Sequence, residues 1–81
     1  MSDLKPSMIF PGISQDPGVM GGAPVIEGTR ITVTMLLDAL AAGSTEAQIV
    51  EAYPSLTTTQ VRYALGYATS VIRRLHREGN L

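Results

Sequence analysis

The chain has 81 residues, 44% of them apolar, with six Lys and Arg against seven Asp and Glu, one His, no Cys and no Trp. At that length one domain with a small core is expected, stable by ~4–12 kcal/mol. Without Cys there is no disulfide framework, no thiolate zinc site and no cysteine nucleophile. The longest stretch without a charge is ten residues, about half of the ~20 that a spanning helix needs. Residues 1–6 lack the basic and then apolar pattern of a leader, so a cytoplasmic protein with no membrane partner is expected. The apolar content is too high for a disordered chain, and a net charge of −1 argues against a generic polybasic binder.

Gly and Pro divide the chain. Pro6, Pro11, Pro17 and Pro24, with Gly12, Gly18, Gly21, Gly22 and Gly28, all fall in the first 28 residues. No long helix survives that density of breakers. Residues 1–32 therefore read as a β element, and residues 33–81 as a helical region of the same compact domain. Asp16-Pro17-Gly18 signals a turn. Gly21-Gly22 is a second turn or a close backbone approach. Ala23-Pro24-Val25-Ile26 and Thr29-Arg30-Ile31-Thr32 flank Glu27-Gly28 and predict a short hairpin.

From Thr32 the period becomes helical. Val33, Leu36, Leu37 and Leu40 lie at i, i+3, i+4 and i+7. Thr32 or Thr34 caps this first helix, and Gly43 ends it. Thr45 and Gln48 form a capping box for a second helix, with Ile49, Ala52 and Tyr53 as its buried face and Pro54 as its stop. Thr57 and Gln60 form another box, with Leu56 and Val61 as a hydrophobic staple. A long helix from residue 58 to about Arg77 follows, closed by Gly79. Val61, Ala64, Leu65, Ala68, Val71, Ile72 and Leu75 share one face of it. Arg62, Gly66, Thr69, Arg73 and Arg77 take the opposite face.

The fold class expected is mainly α, a three-helix helix-turn-helix of homeodomain-like or winged type, with a short N-terminal β-hairpin element. The turn Pro54-Ser55-Leu56-Thr57 has helix-turn-helix length. In that motif the second helix of the pair presents its first residues to the major groove. Here they are Thr58, Thr59, Arg62 and Tyr63. Arg can bind guanine in bidentate fashion, and Thr can contact a base edge or the thymine methyl. An ordinary three-helix bundle with a solvated Arg62 fits the same pattern. Gly66 costs about 1 kcal/mol against Ala within a helix, so a close approach by a phosphate or another helix is expected there.

Charge is unevenly placed. Residues 1–56 carry −4 and residues 57–81 carry +3. Arg73, Arg74 and Arg77 either complement the helix dipole or contact a DNA backbone or an acidic partner. Arg73 and Arg77 lie about 16 Å or more along the axis from Arg62, too far for one set of base pairs. Arg30 either reaches a phosphate or pairs with Glu27 or Asp38, and the acidic surroundings favour the pairing.

Enzymatic readings lack parts. His76 is the single imidazole, placed in an Arg-rich helix end as a surface residue. No carboxylate spacing builds a metal site. The glycines at 18, 21 and 22 lack the following Gly-Lys-Ser/Thr of a phosphate loop. Tyr53, Tyr63 and Tyr67 are expected as core or interface anchors, so neither catalysis nor a cofactor is expected.

One linear pattern is specific. Ile13-Ser14-Gln15-Asp16-Pro17 leads to Gly21-Gly22-Ala23-Pro24-Val25-Ile26 and then Gly28-Thr29-Arg30-Ile31-Thr32-Val33. Leu36-Leu37, Gly43, Tyr53-Pro54-Ser55-Leu56-Thr57, Ala64-Leu65 and Tyr67-Ala68 follow. Over roughly residues 9–70 this order resembles the bacterial domain-of-unknown-function family four-three-three. The resemblance implies a small β element before a helix-turn-helix, and a VapB-like antitoxin often encoded beside a PIN-like ribonuclease toxin. Such proteins are expected to dimerise, bind their own promoter and inhibit the toxin. Only Glu78-Gly79-Asn80-Leu81 follow the last helix, so toxin contact is expected from the N-terminal segment or the helix face.

A small domain with a Gly/Pro-rich first third has little stability margin, and dimerisation is the simplest remedy without a disulfide or metal. A homodimer is expected, through the N-terminal strands or the long helices. The alternative to a DNA-binding antitoxin is a protein-interaction module that binds and inhibits a nuclease-type partner without touching DNA.

Overall fold

The structure is a computed structural model describing residues 7–81. The expectations resting on residues 1–6, including the missing leader, the breaker Pro6 and the charges of Asp3 and Lys5, lie outside the described residues. The described chain has three helices behind a small three-stranded antiparallel sheet. It is mainly α.

The sheet is built from β1 (Ser7–Phe10), β2 (Ile13–Gln15) and β3 (Val25–Ile26), in that order. Pro11 and Gly12 turn β1 into β2. Met8 stands opposite Ser14 and Phe10 opposite Ile13, with a shift of register between them. That shift leaves Ile9 as the extra residue of a bulge. β3 then pairs with β2, Ile13 opposite Ile26 and Ser14 opposite Val25. The Gly12 carbonyl accepts from the Glu27 N–H at 2.9 Å and closes that pairing at the turn.

The β2–β3 connection is folded by its own polar groups. The Asp16 carboxylate accepts from the Gly18 N–H at 2.8 Å, and its carbonyl accepts from the Val19 N–H. A single 3-10 turn at Met20–Gly22 follows, so Gly21-Gly22 serves as a turn. The Gln15 side-chain amide donates to the Gly22 carbonyl at 2.8 Å and ties this turn to β2.

The predicted hairpin around Glu27-Gly28 closes with less strand than expected. The Ile26 N–H donates to the Ile31 carbonyl and the Thr29 N–H to the Ile26 carbonyl. With the Val33 N–H donating to the Pro24 carbonyl, the Ile26–Ile31 bond makes one isolated bridge, Val25 to Thr32, which is all the ladder its second arm contributes. The Thr29 hydroxyl accounts for this, since it donates to the Ile26 carbonyl and accepts from the Ile31 N–H. A side chain thereby satisfies backbone groups that a longer ladder would have used.

All three helices start at side-chain caps. α1 (Val33–Ala41) is capped by Thr32, whose hydroxyl accepts from the Met35 N–H at 3.0 Å. The Thr32 N–H donates in turn to the Met35 sulfur at 3.4 Å, a thioether form of the capping box. α2 (Glu46–Ala52) is capped reciprocally by Thr45 and Gln48, and α3 (Thr58–Arg77) by Thr57 and Gln60. Such a cap is typically worth ~1 kcal/mol. Gly43 and Gly79 follow α1 and α3 with positive φ, as C′ residues do.

One core joins the sheet to the helices. It contains Ile13, Ile26, Val33, Leu36, Ile49, Leu56, Val61 and Ala64. The staple pair Leu56 and Val61 is part of it, so the turn before α3 is fixed by burial as well as by its cap. The five largest fully buried side chains are Ile13, Ile26, Leu36, Ile49 and Val61. Each contributes ~1.5–3 kcal/mol of transfer free energy.

Three helix-face assignments need correction. Ala52 is exposed, and Val50 packs beside Ile49 instead. Ile72 is 57% exposed, because the nine residues of α1 span ~14 Å against ~30 Å for α3. Gly66 does not face solvent, since the Phe10 ring lies over it.

Candidate functional site

The start of α3 exposes a cluster of polar side chains, Thr57, Thr58, Thr59 and Arg62. Thr57 and Gln60 exchange hydrogen bonds there: the Gln60 N–H donates to the Thr57 hydroxyl at 3.2 Å, and the Thr57 N–H donates to the Gln60 side-chain carbonyl at 2.9 Å. That leaves the N–H groups of Thr58 and Thr59 without an intrahelical acceptor. Both side chains are exposed, as are Arg62 and Tyr63. The predicted quartet is therefore brought together on two consecutive turns at the positive end of a 20-residue helix.

Arg62 is partly engaged. Its Nε lies 3.5 Å from Oε1 of Glu46, the first residue of α2. The guanidinium side chain remains 72% exposed, so the pair is worth at most ~1 kcal/mol. The pair ties α2 to α3 while leaving most of the Arg62 side chain exposed. Glu46 was legible as an acid in the first turn after the Thr45 cap, but only the packing of α2 on α3 places it beside Arg62.

Tyr63 has a structural task. Its ring lies against Gly12, in the turn between β1 and β2. One helical turn later Gly66 receives the Phe10 ring, with the nearest ring carbons 3.3 Å from where a Cβ would stand. Phe10 also meets Tyr67 edge to face, centroids 5.9 Å apart at 62°. The β1–β2 hairpin thus covers one flank of the quartet through Phe10 and Gly12. Thr58, Thr59 and Arg62 form the open flank. The close approach expected at Gly66 is the hairpin of the same chain.

The remaining cations are dispersed. Arg73, Arg74 and Arg77 are exposed near the end of α3, and Arg74, His76 and Arg77 occupy its last turn, where they complement the dipole. No Asp or Glu lies within α3, so the helix presents one sign of charge from Arg62 to Arg77. Arg30 is exposed and lines a shallow pocket of about 250 Å³ with Ser14, Asp16 and Thr29. The expected pairing of Arg30 with Glu27 or Asp38 does not form; among the described residues the ion pair present is Arg62 with Glu46. Glu27, Arg30 and Asp38 are all exposed, where Coulomb attraction barely offsets the entropy of fixing long side chains. Tyr53 and Tyr67 pack at the edge of the core, as anchors.

Among the described residues no group of three or more His, Asp or Glu is placed to hold a metal ion. Among the described residues no helix is long and apolar enough to cross a membrane. The arrangement offers hydrogen-bond donors, a partly free guanidinium and a uniformly basic helix.

These features define a small mainly α domain with an N-terminal antiparallel sheet packed on its longest helix. The chain belongs to the family described as "Protein of unknown function (DUF433)", which matches residues 13–68. The crystal structure of a DUF433 member protein from Anabaena variabilis ATCC 29413 has the same fold, with a TM-score of 0.72 at 31% identity. The match covers 83% of this chain and 66% of that one. The "Uncharacterized protein y4eO" of Sinorhizobium fredii (strain NBRC 101917 / NGR234) is 38% identical over 56 residues. That segment is 69% of this chain but 25% of the relative, so the chain spans about a quarter of the curated relative it matches.

Proposed function

We propose that the protein is a homodimeric, cytoplasmic helix-turn-helix DNA-binding protein, the VapB-like antitoxin and autorepressor of a toxin–antitoxin pair with a PIN-like ribonuclease. In this reading α2, the five-residue connection 53–57 and α3 are the motif, and α3 is the recognition helix. The observation that carries the reading is the open flank at the start of α3. Thr58, Thr59 and Arg62 are exposed there, on a helix that holds four Arg and no acid, in a chain whose preceding residues sum to −4. A nucleic acid would be drawn to that helix and repelled by the rest of the chain.

Each residue then has a role. Arg62 reads guanine O6 and N7, Thr58 and Thr59 contact base edges or the phosphate at the helix N-terminus, and Tyr63 holds the hairpin on α3 while its edge borders the groove. Arg73, Arg74 and Arg77 serve the backbone or a protein partner. Arg30 takes up a phosphate or an acidic partner group beside its pocket. Two copies would place half-sites ~34 Å or a multiple apart. None of these roles calls for catalysis or a cofactor.

Fluorescence anisotropy on duplex DNA from upstream of its own gene tests this. Arg62→Ala should weaken specific binding by ~1–3 kcal/mol if it reads a base. Unchanged affinity would remove Arg62 from the site.

A second reading has its own support. The y4eO relative carries a matching segment within a chain about four times as long, as expected of a module that works beside other protein. The acidic balance of residues 1–56 also disfavours DNA. In this reading the protein binds and inhibits a nuclease-type partner without touching DNA. It predicts no DNA binding even at low salt, where electrostatic binding is strongest, and co-purification with the product of the neighbouring gene.

A further inference from the structure

Between α1 and the second half of α3, with Pro24 at one end, lies an apolar groove of about 270 Å³. Thr34 and Leu37 form part of one wall, and Tyr67, Ala68, Val71 and Ile72 form the other. α1 is less than half as long as α3, and beyond Ala68 the apolar stripe of α3 is only part covered: Val71 and Leu75 are half-buried and Ile72 is exposed. Ile72, on its rim, is the most exposed large apolar side chain of α3. Such a side chain beside an apolar groove marks an interaction surface.

The two walls end in opposite charges. Asp38 follows Thr34 at i+4 and so continues the α1 wall. Arg74 follows Tyr67 at i+7 and Val71 at i+3 and so continues the α3 wall. Both are exposed, and neither forms an ion pair among the described residues. A twofold interface must be self-complementary, with every contact made twice in exchange. A groove with an acid on one wall and a base on the other meets that condition. Met20 and Leu81 are exposed singly, whereas Met8 and Ile9 are adjacent on the edge strand β1; residues 7–15 carry no charge that could set an orientation.

We infer that the groove between α1 and α3 is the contact surface for a second copy of this chain. Each Ile72 seats in the partner copy's groove, and each Arg74 meets the partner copy's Asp38. Ala68, as a small residue, lets the two α3 helices approach. The inference rests on the homodimer in the proposed function and is independent of DNA binding. The resulting dimer leaves Thr58, Thr59 and Arg62 outside the interface.

Light scattering on the full chain at micromolar concentration tests the assignment. The expected mass is twice the 8.6 kDa of one chain. Ile72→Glu should weaken the dimer roughly tenfold or more, with circular dichroism unchanged because the side chain is exposed. Met8→Glu should leave the dimer intact. Asp38→Arg and Arg74→Asp should each weaken it, and the double swap should restore it; this pair carries the test if Ile72→Glu misfolds. A wild-type monomer overturns both the inference and the homodimer. A dimer that survives Ile72→Glu but is lost in Met8→Glu overturns the groove and assigns the interface to β1. A dimer broken by Ile72→Glu that binds no DNA upholds the groove and removes the DNA-binding reading.

Discussion

Gly12 and Tyr63, 51 positions apart in sequence, are in direct contact: the tyrosine ring fills the space a Cβ on Gly12 would need. Gly12 also has φ +78, in the left-handed region where an L side chain is strained. Two independent constraints therefore require glycine here, one from the turn and one from the packing of the hairpin on α3. The contact fixes the sheet against the helix proposed to read DNA.

Gly12→Ala should accordingly destabilise the fold by ~2–4 kcal/mol, combining left-handed strain with overpacking. Urea unfolding gives the value. In a Tyr63→Ala background the packing part disappears and the strain part stays. The double-mutant cycle should show ~1–2 kcal/mol of coupling. Additive effects would mean that the ring moves aside at no cost.

Gly66 makes the opposite prediction about sign. Alanine at a helix interior gains ~1 kcal/mol over glycine, but its methyl would press on Phe10 at 3.3 Å. Gly66→Ala should be close to neutral in the wild type. In a Phe10→Ala background it should stabilise by ~1 kcal/mol, measured by thermal or urea unfolding. Equal gains in both backgrounds would show that Phe10 does not restrict the site.

The cap of α3 and the staple beside it should both matter to stability, to different degrees. Thr57→Ala removes the acceptor for the Gln60 N–H and should cost ~1 kcal/mol, whereas Thr57→Ser should cost little. Leu56→Ala, in the same turn, should cost ~2–5 kcal/mol because it opens a cavity beside Val61. Urea midpoints rank the three variants, and Thr57→Ala costing as much as Leu56→Ala would contradict the assignment of turn rigidity to the buried staple.

Glu46 competes with DNA for Arg62 in the proposed function. Glu46→Gln should tighten binding to the upstream duplex by up to ~1 kcal/mol while lowering fold stability by no more than that. Anisotropy and urea unfolding on the same variant separate the two effects. Weaker binding by Glu46→Gln would mean that the pair orients Arg62 for its contact rather than restraining it.

The helices were legible because their boundaries are written locally. Thr45 with Gln48 and Thr57 with Gln60 are reciprocal caps three residues apart, and the structure starts α2 and α3 one residue after each Thr. Thr32 was legible as a cap, but its partner was not, because a Met sulfur does not signal a capping box. The sheet was half legible. Pro11-Gly12 between the apolar Met8-Ile9-Phe10 and Ile13 marks the β1–β2 hairpin, yet the neighbouring turn signals obscured it. The docking of that hairpin on α3 was beyond reach, since it joins residues 51 positions apart. Its trace in the sequence is Gly66, a helix-interior glycine that signals a close neighbour without specifying that the neighbour is Phe10. Ile72 fell on the apolar face by period and stands exposed because helical period says nothing of where α1 ends.

The most direct test is anisotropy of a labelled upstream duplex with wild type and Arg62→Ala, at low and near-physiological salt, against unlabelled random duplex. The account predicts wild-type binding that survives the competitor, falls steeply with salt, and weakens ~5–150-fold in Arg62→Ala, the range set by ~1–3 kcal/mol. No wild-type binding at low salt would contradict it and leave the protein-interaction reading in its place.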